Sequence, residues 1–344
     1  MPKTNFAING FGRIGRTAFK VWWLYHRERI NLRVINTSGS MEIEDWAHLL
    51  KYDSNYGTFS EEIKINREQS KDEVTDLNPV LGRLRLGNKE ILVTAQKDPA
   101  KIPWADYQVE TVLECTGAFT SKEKAELHLR SGAKQVIISA PGKGEGISNT
   151  VIGVKKIAGP IASNASCTTN CVAPVAAIMQ AKFGIQKAML TTVHAYTDDQ
   201  NLHDNSHKDL RRARAAAINI VPTSTGAAVA TTLVIPELKG LFDGLAIRVP
   251  VAVGSLSDLV FLLKKDVTIE EVNQVLIAES KKEHWQGILA VTTDPIVSSD
   301  IVGRRESSIV DLSLTNVVGG NLVKIVAWYD NEFGYCNRLV EQVV

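Results

Sequence analysis

Little in this chain ties it to a membrane, a nucleic acid or an oxidising compartment. Only four of its 344 residues are cysteine, too few for a disulfide framework at this length. Cys167 and Cys171 lie four apart, and no second pair stands at metal-ligand spacing, so no metal site is expected. The net charge is +1, which gives no global attraction to nucleic acid or to a membrane surface. The basic stretch "HKDLRRARAAA" is short and carries no interleaved aromatic residue, so it reads as a solvated or subunit-facing segment. No apolar run is long enough to span a bilayer, and "MPKTNFAINGFGRIGR" enters a strand and turn without a signal-peptide core. A reducing, cytoplasmic setting is therefore expected.

What is present is an ordinary globular balance of 44% apolar and 22% charged residues, over a length that suits two domains with separate cores. "NFAING" reads as a buried strand. The next segment, "RIGRTAFKVWWLYHRER", has Ile14, Ala18, Val21, Trp22 and Tyr25 at helical spacing, and "INLRVIN" is a second strand. This is a βαβ unit. Further short strands, "TVLECTG" and "QVIISAP", flank "TSKEKAELHLRSGA", a helix for which Thr120 is the expected N-cap with Glu123 at capping-box spacing. The alternation predicts an α/β, Rossmann-type doubly wound parallel sheet in a first domain over residues 1–166. After "IASNASCTTNC" long alternating runs take over, such as "QKAMLTTVHAYT" and "LAIRVPVAVGSLSDLVFLLK". They predict an α+β second domain over residues 167–331 with a mainly antiparallel sheet. Within it "TIEEVNQVLIAESKK" is a helix capped by Thr268 and Glu271, and a last helix follows over 332–344.

Two local features carry chemistry. "INGFGRIG" places Gly10-x-Gly12-x-x-Gly15 between a strand and a helix, where a tight turn lets the backbone approach a pyrophosphate at the helix N-terminus. Arg13 is placed to help with the phosphates; a tight turn without a ligand is the other reading. "SNASCTTNCVAPVAAIMQ" puts Cys167 at the start of a helix, behind the capping types Ser163, Asn164 and Ser166. The helix dipole predicts a lowered thiol pKa there. Cys115, Cys171 and Cys336 read as small buried hydrophobes. A thiol nucleophile needs a base, and His194 in "TTVHAYTDDQ" is one candidate among several histidines.

Taken together, "INGFGRIGR", "AHLLKYDS", "SNASCTTNC", "HAYT", "DLRRARAAAINIVPTSTGAA" and "WYDNEFGY" resemble the phosphorylating glyceraldehyde-3-phosphate dehydrogenases, in order and over essentially the whole chain. The resemblance implies reversible oxidation and phosphorylation of glyceraldehyde 3-phosphate to 1,3-bisphosphoglycerate. Cys167 would attack the aldehyde to give a thiohemiacetal. His194 would keep the thiol ionised and take the hydroxyl proton as hydride leaves for the nicotinamide. Inorganic phosphate would then cleave the thioester. Thr197 and Arg248 would hold the substrate's phosphate, and Ser166, Thr168, Thr225 and Gly226 the inorganic one. The cofactor would lie on Asn9, Gly10, Phe11, Gly12, Arg13, Ile14, Thr37, Ser38, Lys97, Thr116, Gly117 and Ser139. Asn331 would hold the carboxamide with Tyr335 nearby, and Ser206 would reach over from a neighbouring subunit of a homotetramer. The last helix would pack back on the first domain. Departures from the family pattern are a short connection before "GPIASNASC", Cys115 for serine, Lys97 for arginine and Phe333 for tryptophan.

Erythrose-4-phosphate dehydrogenase shares the scaffold but departs at "HAYT" and "TSTGAA", both intact here. Aspartate-semialdehyde dehydrogenase shares the general plan without this run of motifs. A non-catalytic RNA-binding or scaffold role would not need the full catalytic set, and a net charge of +1 argues against it.

The cofactor itself is addressed by "LRVINTSGS". Thr37 stands where NAD-preferring relatives carry an aspartate that accepts bonds from the ribose and repels a 2′-phosphate. Thr37 and Ser38 offer donors instead, and Ser206 stands where the photosynthetic NADP-using relatives have serine. No arginine lies in "NTSGSMEIED" to pair with a 2′-phosphate, and a Thr37 that merely caps a turn is the competing reading. The expectation is that NADP is accepted, in preference to NAD.

Overall fold

The computed structural model describes residues 3–343. They form two compact units: residues 3–149, Ile157–Ala165 and residues 336–343 make one, and Thr150–Lys156 with Ser166–Tyr335 make the other.

The first unit is built on strands β1 (Thr4–Asn9), β2 (Ile30–Thr37), β3 (Lys64–Arg67), β4 (Val80–Leu86), β5 (Lys89–Ala95), β6 (Thr111–Glu114), β7 (Gln135–Ile138), β8 (Ser148–Asn149) and β9 (Ile161–Ser163). Their order in the sheet is β8–β9–β7–β6–β1–β2–β5–β4–β3. Pairing is parallel from β8 to β5, and only β4 and β3 run antiparallel at one edge. The chain leaves β1 toward β2 on one side and reaches β6 on the other. The loops after β1 and β6 therefore flank the switch point where open α/β sheets bind ligands. Helix α1 (Arg13–Val21) follows the glycine turn and runs on as a π turn over Trp22–His26. Phe6, Phe11, Phe19, Trp22 and Trp46 meet edge to face in its core, with ring centroids 5.5 to 6.2 Å apart.

Helix α2 spans Ile43–Lys51 and helix α3 spans Lys122–Arg130. The cap of α3 is Ser121, not Thr120: the Ser121 hydroxyl accepts from the Lys124 N–H at 3.5 Å. Thr120 is buried, and its carbonyl takes the Lys143 N–H at 2.9 Å. The helix thus starts one residue later than expected, and Glu123 falls out of capping-box register.

In the second unit the strands are β10 (Ile185–Ala195), β11 (Val221–Ser224), β12 (Phe242–Val249), β13 (Ser255–Leu263), β14 (Leu289–Thr292), β15 (Ser308–Val318) and β16 (Leu322–Tyr329). They form one sheet in the order β11–β12–β10–β13–β16–β15–β14, antiparallel except at β10/β12 and β14/β15. β13 alternates strictly between buried and half-buried residues, the pattern of a sheet covered on one face. Helices α4 (Cys167–Phe183), α5 (Ala227–Val234) and α6 (Ile269–Ser280) belong to this unit, and α6 carries the Thr268/Glu271 capping box. Helix α7 (Phe333–Glu341) begins here and continues into the first unit, where Cys336 Sγ donates to the Ile14 carbonyl at 3.5 Å.

Candidate active site

Helix α4 starts on Cys167, the candidate nucleophile. Ser166 is its N-cap, and its hydroxyl accepts from the Thr169 N–H at 3.0 Å, so Cys167 is the first helical residue. His194 lies near the end of β10. The parallel register of β10 with β12 sets Arg248 directly beside it. Cys167 Sγ and His194 Nε2 stand 3.4 Å apart. On the far side of the ring, Nδ1 is 2.7 Å from the Ala195 carbonyl and 2.6 Å from Arg248 Nη1, which also donates to that carbonyl at 3.0 Å. The tautomer that gives Nδ1–H to the Ala195 carbonyl is the one that turns the Nε2 lone pair to the thiol, and in it Arg248 donates to that carbonyl and not to the ring.

Electrostatics sharpen this pairing. Burial, with Arg248 second, pulls His194 down to about 3, so the free imidazole is neutral at physiological pH. The thiol does not follow the fall expected from the helix dipole. Cys167 keeps part of its surface open, yet its sulfur is surrounded by protein, and burial pushes its pKa up while Arg248 and the Thr168 donors act the other way. Charging either group alone is disfavoured. Moving the thiol proton to Nε2 instead makes two opposite charges 3.4 Å apart, whose attraction offsets part of that cost. Cys171 is pushed up to about 12 and Cys115 is raised as well, both by burial, which leaves them poor nucleophiles.

The remaining expected residues are distributed around this pair. Thr168 is buried, and its hydroxyl is tied to Tyr329 Oη at 2.8 Å. The same phenol meets Thr192 Oγ1 at 2.8 Å, and its ring stands edge-on to His194 with centroids 5.9 Å apart. Tyr329 thus braces α4 and β10 together. It escaped sequence reasoning, since a tyrosine in an apolar strand carries no signal of its own. Thr197 follows β10, and its N–H donates to Gln200 Oε1 at 3.3 Å. Thr225 and Gly226 sit at the start of α5, where Thr225 Oγ1 accepts from the Ala227 N–H at 3.2 Å. Among the described residues no hydrogen bond joins Thr197, Thr225 or Gly226 to the Cys167–His194 pair. The basic segment is matched by acids: Arg212 pairs with Asp199 and Arg214 with Asp204. Ser206 is exposed, and its N–H donates to Asn205 Oδ1. Asn331 Oδ1 accepts from the Gly254 N–H and the Ser255 hydroxyl, and Tyr335 is buried.

The glycine turn lies in the first unit, with Asn9 and Phe11 buried beside it. A Cβ on Gly15 would meet the Gly10 carbonyl at 2.1 Å, so only glycine permits this approach of helix to turn. A Cβ on Gly12 would meet nothing within 4 Å, which leaves open space at the N-terminus of α1. That helix has no acid in its first turn and no side-chain cap, so its leading N–H groups suit a pyrophosphate. The residues therefore fit a dinucleotide. Arg13, expected to help there, pairs with the buried Asp53 at 3.0 Å, and Lys20 reaches the same carboxylate at 3.3 Å. Burial works against that charge, but the Asn55 N–H, Arg13 and Lys20 outweigh it and hold Asp53 below its usual range.

Thr37 is likewise turned inward. Its hydroxyl donates to the Thr94 carbonyl at 3.0 Å and accepts from the Gly39 N–H at 3.3 Å. It caps the turn and is not the outward donor expected. Ser38 is exposed and its hydroxyl meets that of Ser40 at 2.9 Å. Lys97 is exposed, and Ser139 is half-buried with its N–H on the Glu114 carbonyl. Thr116 and Gly117 follow β6, and both Thr116 donors are held by the Glu114 carboxylate.

Residues 4–122 match the family model described as the NAD binding domain of glyceraldehyde 3-phosphate dehydrogenase, and residues 166–331 match its C-terminal domain. The chain is 49% identical to glyceraldehyde-3-phosphate dehydrogenase of Thermotoga maritima over 339 residues, 97% of this chain and 96% of that one. Identity to glyceraldehyde-3-phosphate dehydrogenase 1 of Bacillus cereus is 46%, over 98% of this chain and 97% of that one. To the chloroplastic glyceraldehyde-3-phosphate dehydrogenase A of Chlamydomonas reinhardtii it is 44%, over 98% of this chain and 87% of that one. With both family models matched in order and close relatives aligned over nearly their full length, the chain belongs to the glyceraldehyde 3-phosphate dehydrogenase family.

Proposed function

We propose that this chain oxidises and phosphorylates glyceraldehyde 3-phosphate to 1,3-bisphosphoglycerate, reversibly, with Cys167 as nucleophile and His194 as base. The observation that carries this reading is the 3.4 Å approach of Cys167 Sγ to His194 Nε2 at the start of α4. Nε2 takes the thiol proton as Sγ bonds to the aldehyde carbon and passes it to the carbonyl oxygen, and the new hydroxyl then returns it to Nε2 as hydride departs. When bound, the nicotinamide dinucleotide supplies the hydride acceptor. Inorganic phosphate attacks the resulting thioester, and the thiol leaves. Arg248 and Thr197 hold the substrate's phosphate in this proposal, and Ser166, Thr168, Thr225 and Gly226 the attacking one. Asn9, Gly10, Phe11, Gly12, Arg13, Ile14, Thr37, Ser38, Lys97, Thr116, Gly117, Ser139, Asn331 and Tyr335 belong to the cofactor in the same reading.

For the cofactor, NADP is proposed to be accepted better than NAD. With Thr37 turned onto Thr94, the support is the lack of a carboxylate at the end of β2 together with the exposed Ser38. Kinetics with NADP and NAD side by side, for glyceraldehyde 3-phosphate and erythrose 4-phosphate, test both specificities. The expected result is a higher kcat/KM with NADP and with the three-carbon aldehyde. A value with NADP far below that with NAD removes the cofactor proposal, and a preference for erythrose 4-phosphate removes the substrate proposal.

Assembly as a homotetramer belongs to the same reading. Leu202, Leu210, Ile218 and Ile220 are 70 to 81% exposed along the segment that carries Ser206. On the second unit's sheet, Met189, Leu322 and Val318 are also exposed, in rows shared with Lys324 and Lys187. A cytoplasmic location is proposed because a reducing compartment keeps the Cys167 thiol free.

A further inference from the structure

Four adjacent strands of the first unit end in a single row of buried polar side chains. Thr94 on β5, Asn36 on β2, Asn9 on β1 and Glu114 on β6 are register partners across the sheet, and each is at most 3% exposed. Hydrogen bonds run along the row in one direction. The Thr94 hydroxyl and the Gln96 N–H donate to Asn36 Oδ1 at 2.8 and 3.0 Å. Asn36 Nδ2 donates to Asn9 Oδ1 at 2.7 Å, and Asn9 Nδ2 donates to Glu114 Oε2 at 2.5 Å.

From the opposite side, the Trp104 indole donates to His128 Nδ1 at 3.0 Å. An indole only donates, so this nitrogen is an acceptor and the ring's proton sits on Nε2, which gives it to Glu114 Oε2 at 3.0 Å. Glu114 Oε1 takes the N–H of Thr116 at 2.7 Å and the Thr116 hydroxyl as well. Four donors thus converge on one buried carboxylate, and among the described residues no lysine or arginine pairs with it.

We propose that Glu114 is a positioning residue for the dinucleotide, acting through Thr116 and Asn9 to fix the two loops at the switch point. This rests on the reading that the glycine turn holds such a cofactor. The turn packs directly on the segment that Glu114 holds: a Cβ on Gly10 would lie 2.8 Å from the Thr116 backbone nitrogen. A shift of Thr116 therefore shifts the turn. The carboxylate also sets the polarity of the row. Asn9 cannot invert its amide without turning Oδ1 away from Asn36 Nδ2, and Asn36 in turn holds Gln96 through both its amide atoms. A glutamine at position 114 would offer one acceptor and one NH2 group to four donors. Either Thr116 on one side, or Asn9 and His128 on the other, would then face a second donor.

The test is cofactor binding, read as quenching of tryptophan fluorescence by NADP and by NAD. Glu114→Gln is expected to raise both Kd values about 10-fold or more, the order expected for leaving a buried donor unpaired. KM for the cofactor should rise with Kd. KM for the aldehyde at saturating cofactor, and the alkylation rate of Cys167 in the other unit, should stay within about twofold, which a general loss of folding would not allow. Adding Asn9→Asp to Glu114→Gln restores a carboxylate–amide pair with reversed polarity and should recover at least about threefold in Kd. Should Glu114→Gln fail to fold, Thr116→Val removes one donor with little change of shape and should weaken binding about threefold. Wild-type protein that binds neither dinucleotide removes the underlying reading. Wild-type protein that binds, with Glu114→Gln or Thr116→Val binding equally well or with no rescue by Asn9→Asp, overturns the positioning role.

Discussion

Replacing Cys167 with serine is expected to lower kcat by at least about 10³-fold while cofactor affinity stays within about twofold of wild type. The change is nearly isosteric, and the Ser166 cap that sets the start of α4 is untouched. What is lost is a thiol that can be ionised beside His194, because a serine hydroxyl stays protonated across the working pH range. Steady-state rates and fluorescence titration with NADP measure the two effects separately. Substantial remaining turnover would move the nucleophile elsewhere, although burial leaves Cys115 and Cys171 poorly suited to the role.

Arg248→Ala is expected to cost about 10²- to 10³-fold in kcat/KM with glyceraldehyde 3-phosphate, the scale for removing one member of a buried charged pair. The structure adds a second consequence. The guanidinium reaches His194 Nδ1 and the Ala195 carbonyl, and it favours the thiolate of Cys167. Its removal raises the thiol pKa, so the pH midpoint for alkylation of Cys167 should move up and alkylation at pH 7 should slow. Turnover of unphosphorylated glyceraldehyde should fall too. A variant that loses only affinity for the phosphorylated substrate, with an unchanged alkylation profile, would confine Arg248 to phosphate binding.

The features legible from sequence are local ones. Gly10-x-Gly12-x-x-Gly15 marks its turn because a Gly15 side chain would strike the Gly10 carbonyl. Ser166 and Thr268 mark helix starts because a hydroxyl three residues ahead of an N–H can cap it. Thr120 misled because Ser121, one residue on, is the residue that caps, and the Thr120 carbonyl is taken by the Lys143 N–H in an isolated bridge. What the chain order hides is register. His194 and Arg248 are 54 residues apart and touch only because β10 and β12 pair in parallel. Thr37 shows the converse: the expected residue is at the expected strand end, but its hydroxyl is already spent on Thr94. Glu114 escaped notice because an acid closing the apolar run "TVLECTG" reads as a surface residue until the strands on either side bury it.

The proposed mechanism places on Cys167 the acyl group that phosphate then removes. Mixing the protein with glyceraldehyde 3-phosphate and NADP or NAD in phosphate-free buffer tests it most directly. The expected result is a burst of about one reduced cofactor per chain, an acyl adduct on the peptide containing Cys167, and resumed turnover when phosphate is added. Steady turnover without phosphate, or an adduct on any other residue, would contradict it.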